Sequence, residues 1–235
     1  MSGEIEKLLA IGKAAKPRCF KNLDVQKLPV IWKSNKKAWM TAAIMEECLK
    51  TLTAKMKKER SDILLFLDNA TCHPHIELSN IQLAWFTPNT TSVTQPMDQG
   101  FIRCVKVNYR KFLMQSLLAN MKTASNASDI IKSVTVLDAV MWLPKARKEI
   151  SKQTIQKCFL EANFSANNCI EKHSSTEDID ARDLQILLNN GNFSDMSAKE
   201  LISIDDDILT EVPIGNENDI IPVEKYRKIY ITFPA

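Results

Sequence analysis

Two aspartates carry the most chemical information in this chain. Asp68 follows the apolar run Ile63-Leu64-Leu65-Phe66-Leu67 and so stands at the end of a buried strand. Asp98 lies in Gln95-Pro96-Met97-Asp98-Gln99-Gly100, a turn that opens a long helical pattern. A carboxylate at a strand end facing another at a helix start suits a Mg²⁺-dependent phosphodiester enzyme. Such a site holds two cations about 4 Å apart, which align the attacking and leaving oxygens. Mg²⁺ takes few carboxylates and completes its shell with water and phosphate oxygens. Open α/β sheets bind ligands at the carboxyl ends of their strands, where Asp68 sits. Asp98 has a second reading as the N-cap of its helix, and the residues alone leave that choice open.

These acids need a frame. Residues 63–67 and 81–86 read as strands, the second closed by Thr87-Pro88-Asn89. Residues 39–60 read as a helix with Thr41 as N-cap and Ile44, Cys48, Leu49, Leu52 and Met56 on one face. Residues 8–11 and 28–32 read as short strands. Between them, Lys16-Pro17-Arg18 and Asn22-Leu23-Asp24 supply turn chemistry for a hairpin connection. Beyond Asp98, Ile102, Val105, Tyr109, Phe112, Leu113 and Leu117 line one side of a helix, and Arg103, Lys106, Arg110 and Lys111 line the other. Helices over 128–142 and 152–161 follow. This order predicts an α/β fold with a mixed sheet over residues 1–164. Residues 165–235 are polar, acidic and interrupted by Pro213 and Pro222. They read as a partly disordered tail, with short helices near 180–188 and 197–201.

Composition excludes several classes. Five glycines argue against a Gly-rich nucleotide loop, and no apolar run approaches the length of a membrane span. The acids near the N-terminus do not read as a signal peptide. Six scattered cysteines without a CxxC pair read as reduced thiols. Cys72, His73 and His75 sit too close together for an unstrained tetrahedral metal site, so a surface role in a loop is expected for a histidine here. Residues 1–170 hold 25 Lys and Arg against 14 Asp and Glu, a balance of +11. Residues 171–235 hold 6 against 14, a balance of −8. The basic body suits a polyanion, and Arg103, Lys106, Arg110 and Lys111 are the candidate DNA-backbone contacts. Lys33, Lys36 and Lys37 carry the same reading; the alternative throughout is an ordinary solvated face.

An ordered set of motifs goes further. Leu67-Asp68-Asn69-Ala70, His73-Pro74, the apolar strand, Pro88-Asn89-Thr90-Thr91-Ser92, Gln95-Pro96-Met97-Asp98-Gln99-Gly100 and the aromatic-basic helix through Tyr109-Arg110-Lys111 resemble the pogo/Tigger type of DDE superfamily endonuclease. So do Ile11-Gly12-Lys13, Lys16-Pro17-Arg18-Cys19-Phe20, residues 34–41, Ile150-Ser151 and Cys158-Phe159. The Ile204-Asp205-Asp206-Asp207 stretch is similar more weakly. The resemblance implies an RNase H-like (DDE integrase/transposase) fold and Mg²⁺ or Mn²⁺. It also implies DNA strand cleavage with strand transfer, and Asp68 and Asp98 as the second and third acids of a triad. The family's first acid lies on a strand before the one at 8–11, so the resemblance implies a domain lacking that first strand. Asp62 is no replacement: six residues of strand, about 20 Å, separate it from Asp68. Asp24 falls in the connection between the first two strands. The expectation is a transposase-derived, nuclear, DNA-binding domain, inactive as this chain, with protein partners for its acidic tail. The alternatives are a metal-dependent nuclease or transposase completed by an upstream segment, and a nuclear protein-interaction module.

Overall fold

The computed structural model describes residues 6–87, 90–121, 126–164, 177–191, 196–203 and 228–231. Two short strands come first, β1 (Leu9–Gly12) and β2 (Ile31–Ser34). They pair in parallel, Leu9 beside Ile31 and Gly12 beside Ser34. A parallel pair cannot be closed by a hairpin turn and needs a crossover. The expected hairpin is therefore replaced by a longer path through 3₁₀ turns at Arg18–Phe20 and Val25–Lys27, with Asp24 capping the second through the Gln26 N–H. Gly12 is where the Trp32 ring lies: a Cβ there would come within 2.3 Å of the indole.

Helix α1 (Ala42–Glu59) starts at Thr41, whose hydroxyl accepts from the Ile44 N–H at 3.3 Å. It stops at Arg60 in the left-handed region, φ 50°. Its buried face is Met45, Leu49 and Met56, with Leu52 at its edge. Leu49, Leu52 and Met56 lie on the predicted face, while Met45 is buried and Ile44 and Cys48 stay half-buried. It packs on β3 (Ile63–Leu67) and β4 (Ile81–Trp85), against Ile63, Leu65, Leu67 and Ile81. Truncating one of these, Leu65→Ala for example, would cost about 2–5 kcal/mol.

Strand β3 is central because it is paired on both sides. Strand β4 lies parallel on one side, Ile63 beside Ile81 and Leu67 beside Trp85. On the other lies β5 (Lys228–Ile231), also parallel, Phe66 beside Ile231. A strand so enclosed needs apolar residues on both faces, which the sequence supplies. The described strands thus form two separate sheets with parallel pairings only, in place of the single mixed sheet expected.

The rest is helical. A four-residue helix, α2 (Thr91–Thr94), precedes the turn Met97–Phe101 and the long α3 (Ile102–Met121). The helix expected over 128–142 is two, α4 (Ala127–Ser133) and α5 (Val136–Lys148). The break has a local cause: Thr135 and Asp138 form a capping box, which starts a new helix. Helix α6 (Lys152–Glu161) has the predicted bounds and is capped by Ser151.

Helices α7 (Glu177–Asn190) and α8 (Ala198–Ser203) fall in the segment read as a tail, near the positions expected for short helices. They are packed rather than free. Leu184 and Leu188 are buried with Val107 and Met114 of α3, and Ala198 and Ile202 join the same cluster. The remaining acidic stretches, including 204–207, lie outside the described residues. Among the described residues, Cys19, Cys48, Cys72, Cys104 and Cys158 are thiols outside any disulfide. No helix among the described residues is long and apolar enough to cross a membrane.

Candidate active site

Asp68 is the first residue past β3. Its Oδ1 accepts two hydrogen bonds, from the Ala70 N–H at 3.1 Å and from His73 Nδ1 at 2.8 Å. Its Oδ2 has no hydrogen-bond partner among the described residues. The loop is tied down beside it. Asn69 Nδ2 donates to the Phe86 carbonyl at 2.6 Å, and the Phe86 N–H donates to Leu67 O at 2.8 Å, so the ends of β3 and β4 are held together. The Asp68 side chain keeps 13% of its exposure and His73 only 1%.

These contacts set the charge states. Burial works against ionising Asp68, but the His73 hydrogen bond, the His73 charge and the Ala70 N–H outweigh it and hold its pKa below the ordinary carboxylate value. Burial likewise opposes protonating His73. The hydrogen bonds to the Asp68 carboxylate and carbonyl, and its charge, win and push the imidazole up. Burial and the same carboxylate raise the Cys72 thiol, which keeps it neutral and unsuited to a metal. His75 instead lies against Trp85, with ring centroids 4.2 Å apart.

Asp98 arrives on the Met97–Phe101 turn. Helical geometry fails there at Gln99 and Gly100, and Gly100 has φ +115°. L side chains rarely adopt that value, so the glycine is what lets the chain turn before α3 begins at Ile102. Met97 and Phe101 anchor the turn against Ile150 and Cys158. Asp98 is four residues ahead of the helix, and among the described residues its carboxylate makes no hydrogen bond or ion pair, so it is not a cap. Its pKa is raised, by burial and then by the charge of Asp68. The Asp68 charge is thus one of the two influences felt at Asp98.

The donor set fits a hard divalent cation: two carboxylates, one oriented through a single oxygen and the other with no described partner. No group of three His, Cys, Asp or Glu converges among the described residues. Asp62 is held at the far end of β3, accepting from Asn80 Nδ2 at 2.8 Å. A cavity of about 690 Å³ elsewhere, lined by Ile11, Trp32, Tyr109 and Leu143, contains neither aspartate.

A family model for the DDE superfamily endonuclease matches residues 2–159. The chain belongs to that family. This DDE domain is 34% identical over 158 residues to mouse Tigger transposable element-derived protein 4, covering 67% of the chain and 29% of that relative. It is 31% identical over 166 residues to ARS-binding protein 1 of Schizosaccharomyces pombe, covering 65% and 30%. It is 28% identical over 172 residues to CENP-B homolog protein 2 of the same yeast, covering 68% and 32%. The chain thus spans about a third of the length of these curated relatives. No solved structure matches it.

The candidate DNA contacts on α3 fare differently. Helix α3 is covered on two sides, by α5 and by α7. Arg110 is consequently buried at 6% exposure and cannot track a phosphate backbone. Lys111 is paired with Asp183 of α7 at 2.8 Å. Arg103 and Lys106 are half-buried. A basic set nearer the N-terminus is more open. Lys13, Lys16, Arg18, Lys21, Lys27, Lys36 and Lys37 are exposed, with only Asp24 among them as an acid. The Asn35 side chain accepts from the Lys37 and Trp39 N–H groups and donates to Trp39 O, which holds Lys36, Lys37 and the half-exposed Trp39 out from the body. Of the lysines named here from the sequence, Lys36 and Lys37 are exposed and Lys33 pairs with Glu47; the excess of Lys over Asp and Glu in residues 13–37 is the signal for the others.

Proposed function

We propose that this chain is a transposase-derived DDE domain that binds DNA in the nucleus and holds a divalent cation between Asp68 and Asp98. The RNase H-like arrangement of the family is part of that reading. The observation that supports it is the Asp68 carboxylate at the end of β3, fixed through one oxygen by the Ala70 N–H and His73, with its charge felt at Asp98 on the Met97–Phe101 turn. DNA binding is supported by the exposed basic residues between 13 and 37 and by relatives named for ARS binding and for CENP-B.

Each group has a physical task. A bound cation would act as a Lewis acid toward a phosphodiester oxygen. Asp68, kept ionised by His73, and Asp98 would hold it. The exposed lysines between residues 13 and 37 would neutralise flanking phosphates and release counterions. Without a cation, the paired carboxylates repel a phosphate, so DNA and metal should bind cooperatively.

Two carboxylates can hold one ion but not the pair of ions that stabilises both reacting oxygens. The 235-residue chain alone is therefore expected to bind DNA without cutting it. The test has two arms. Full-length chain is titrated with a duplex over a range of salt, where affinity should fall steeply; no binding at low salt rules the DNA reading out. Plasmid and hairpin DNA are then incubated with Mg²⁺ or Mn²⁺. Cleavage that vanishes in Asp68→Ala would replace the inactive reading with an active nuclease.

A further inference from the structure

We propose that His73 is a positioning residue for Asp68: its Nδ1–H fixes Oδ1 and thereby reserves Oδ2 for the ligand. This rests on the metal-holding reading of the site.

A free carboxylate turns easily about its last bond, because that torsion has broad, roughly two-fold wells. Asp68 lacks that freedom. Both of its described hydrogen bonds fall on Oδ1, and none falls on Oδ2. The two atoms that His73 Nδ1 reaches are the Asp68 carboxylate, at 2.8 Å, and the Asp68 carbonyl, at 3.0 Å. Both are acceptors, so Nδ1 carries the proton and donates. The donor is itself fixed. The His73 N–H bonds the Ala70 carbonyl at 2.9 Å, its ring is buried near Trp85, and Asn69 pins the start of the loop to Phe86. The turn from 68 to 73 therefore closes on one carboxylate oxygen. Hydrogen-bond partners that orient a metal-ligating side chain typically contribute 10- to 100-fold in metal affinity.

The experiment uses three substitutions in the full chain. Asn places an amide N–H near the position of Nδ1, Gln places one farther out, and Leu has no donor. Mn²⁺ affinity is measured for His73→Asn, His73→Gln and His73→Leu, with thermal stability recorded for each. Asp68→Asn and Asp98→Asn serve as reference variants. We expect His73→Asn to retain most of the affinity and the other two to lose about 10- to 100-fold. A purely structural histidine would lose equally with all three, and that pattern overturns the proposal. So does unchanged affinity in His73→Leu when Asp68→Asn abolishes binding. If neither reference variant alters Mn²⁺ binding, the metal reading itself fails. The carboxyl ¹³C resonance of Asp68 then decides: it should move in the Leu and Gln variants and stay in the Asn variant. Equal movement in all three, or none in any, contradicts the positioning role.

Discussion

Asp98 lies thirty residues beyond Asp68 in sequence, yet burial and, after it, the charge of Asp68 hold the Asp98 carboxyl above its ordinary pKa. Replacing Asp68 by Asn removes a negative neighbour and so favours the ionised form of Asp98. The Asp98 pKa should fall in Asp68→Asn, with the part due to burial remaining. A ¹³C carboxyl titration reads this directly, and an unmoved Asp98 would separate the two acids.

The Asp68–His73 contact should make stability depend on pH. Asp68 is depressed, so its contribution is present above its unfolded pKa, about 3.9, and is lost as pH falls through the folded value. His73 is raised, so its contribution is full below about 6.5 and is lost as pH rises through the folded value. The two describe one interaction and count once. Wild type should exceed His73→Leu by about 1.5–3 kcal/mol between roughly pH 4 and 6.5, as for a hydrogen bond to a charged group, with a smaller margin at pH 9. Urea melts of both proteins across pH test this; a constant margin would contradict it.

Gly100→Ala should destabilise the chain by about 1–3 kcal/mol, because φ +115° is strained for an L residue. The space around the site is not the obstacle, since Cys158 Sγ would be 3.8 Å from the added Cβ. The same change should shift the Asp98 turn and weaken Mn²⁺ binding. Thermal melts and cation titrations check the two effects together.

On the DNA side, Lys36→Ala with Lys37→Ala should lower the slope of log affinity against log salt by about 2, near one unit for each phosphate no longer neutralised. Arg110→Ala should instead lower the melting temperature, because Arg110 is buried. In EDTA, Asp68→Asn should tighten DNA binding by removing a repelled charge. A normal melting temperature for Arg110→Ala with a reduced salt slope would return α3 to the interface.

Much of the site was legible because its signals are local. An apolar run marks β3, a Pro-Met-Asp-Gln-Gly turn marks Asp98, and Thr41 marks a helix start that the structure keeps. What the residues could not show is who packs on whom. The alternation of basic and apolar residues on α3 reads as a solvated face until α7 covers it with Leu184 and Leu188. Strand β5 pairs with β3 across more than 150 residues, and its four residues carry no pattern naming that partner. The hydrogen bond that orients Asp68 depends on a loop closing through Ala70 and His73, which spacing alone does not specify.

The central claim is that Asp68 and Asp98 hold one cation, and paramagnetic broadening tests it most directly. The full chain, carrying ¹³C-labelled aspartate, is titrated with sub-stoichiometric Mn²⁺. The account predicts that the Asp68 and Asp98 carboxyl resonances broaden together at the lowest additions, ahead of Asp24 and Asp62, and that Asp68→Asn diminishes the broadening at Asp98. Broadening of only one of the pair, or equal broadening of all four, would contradict it.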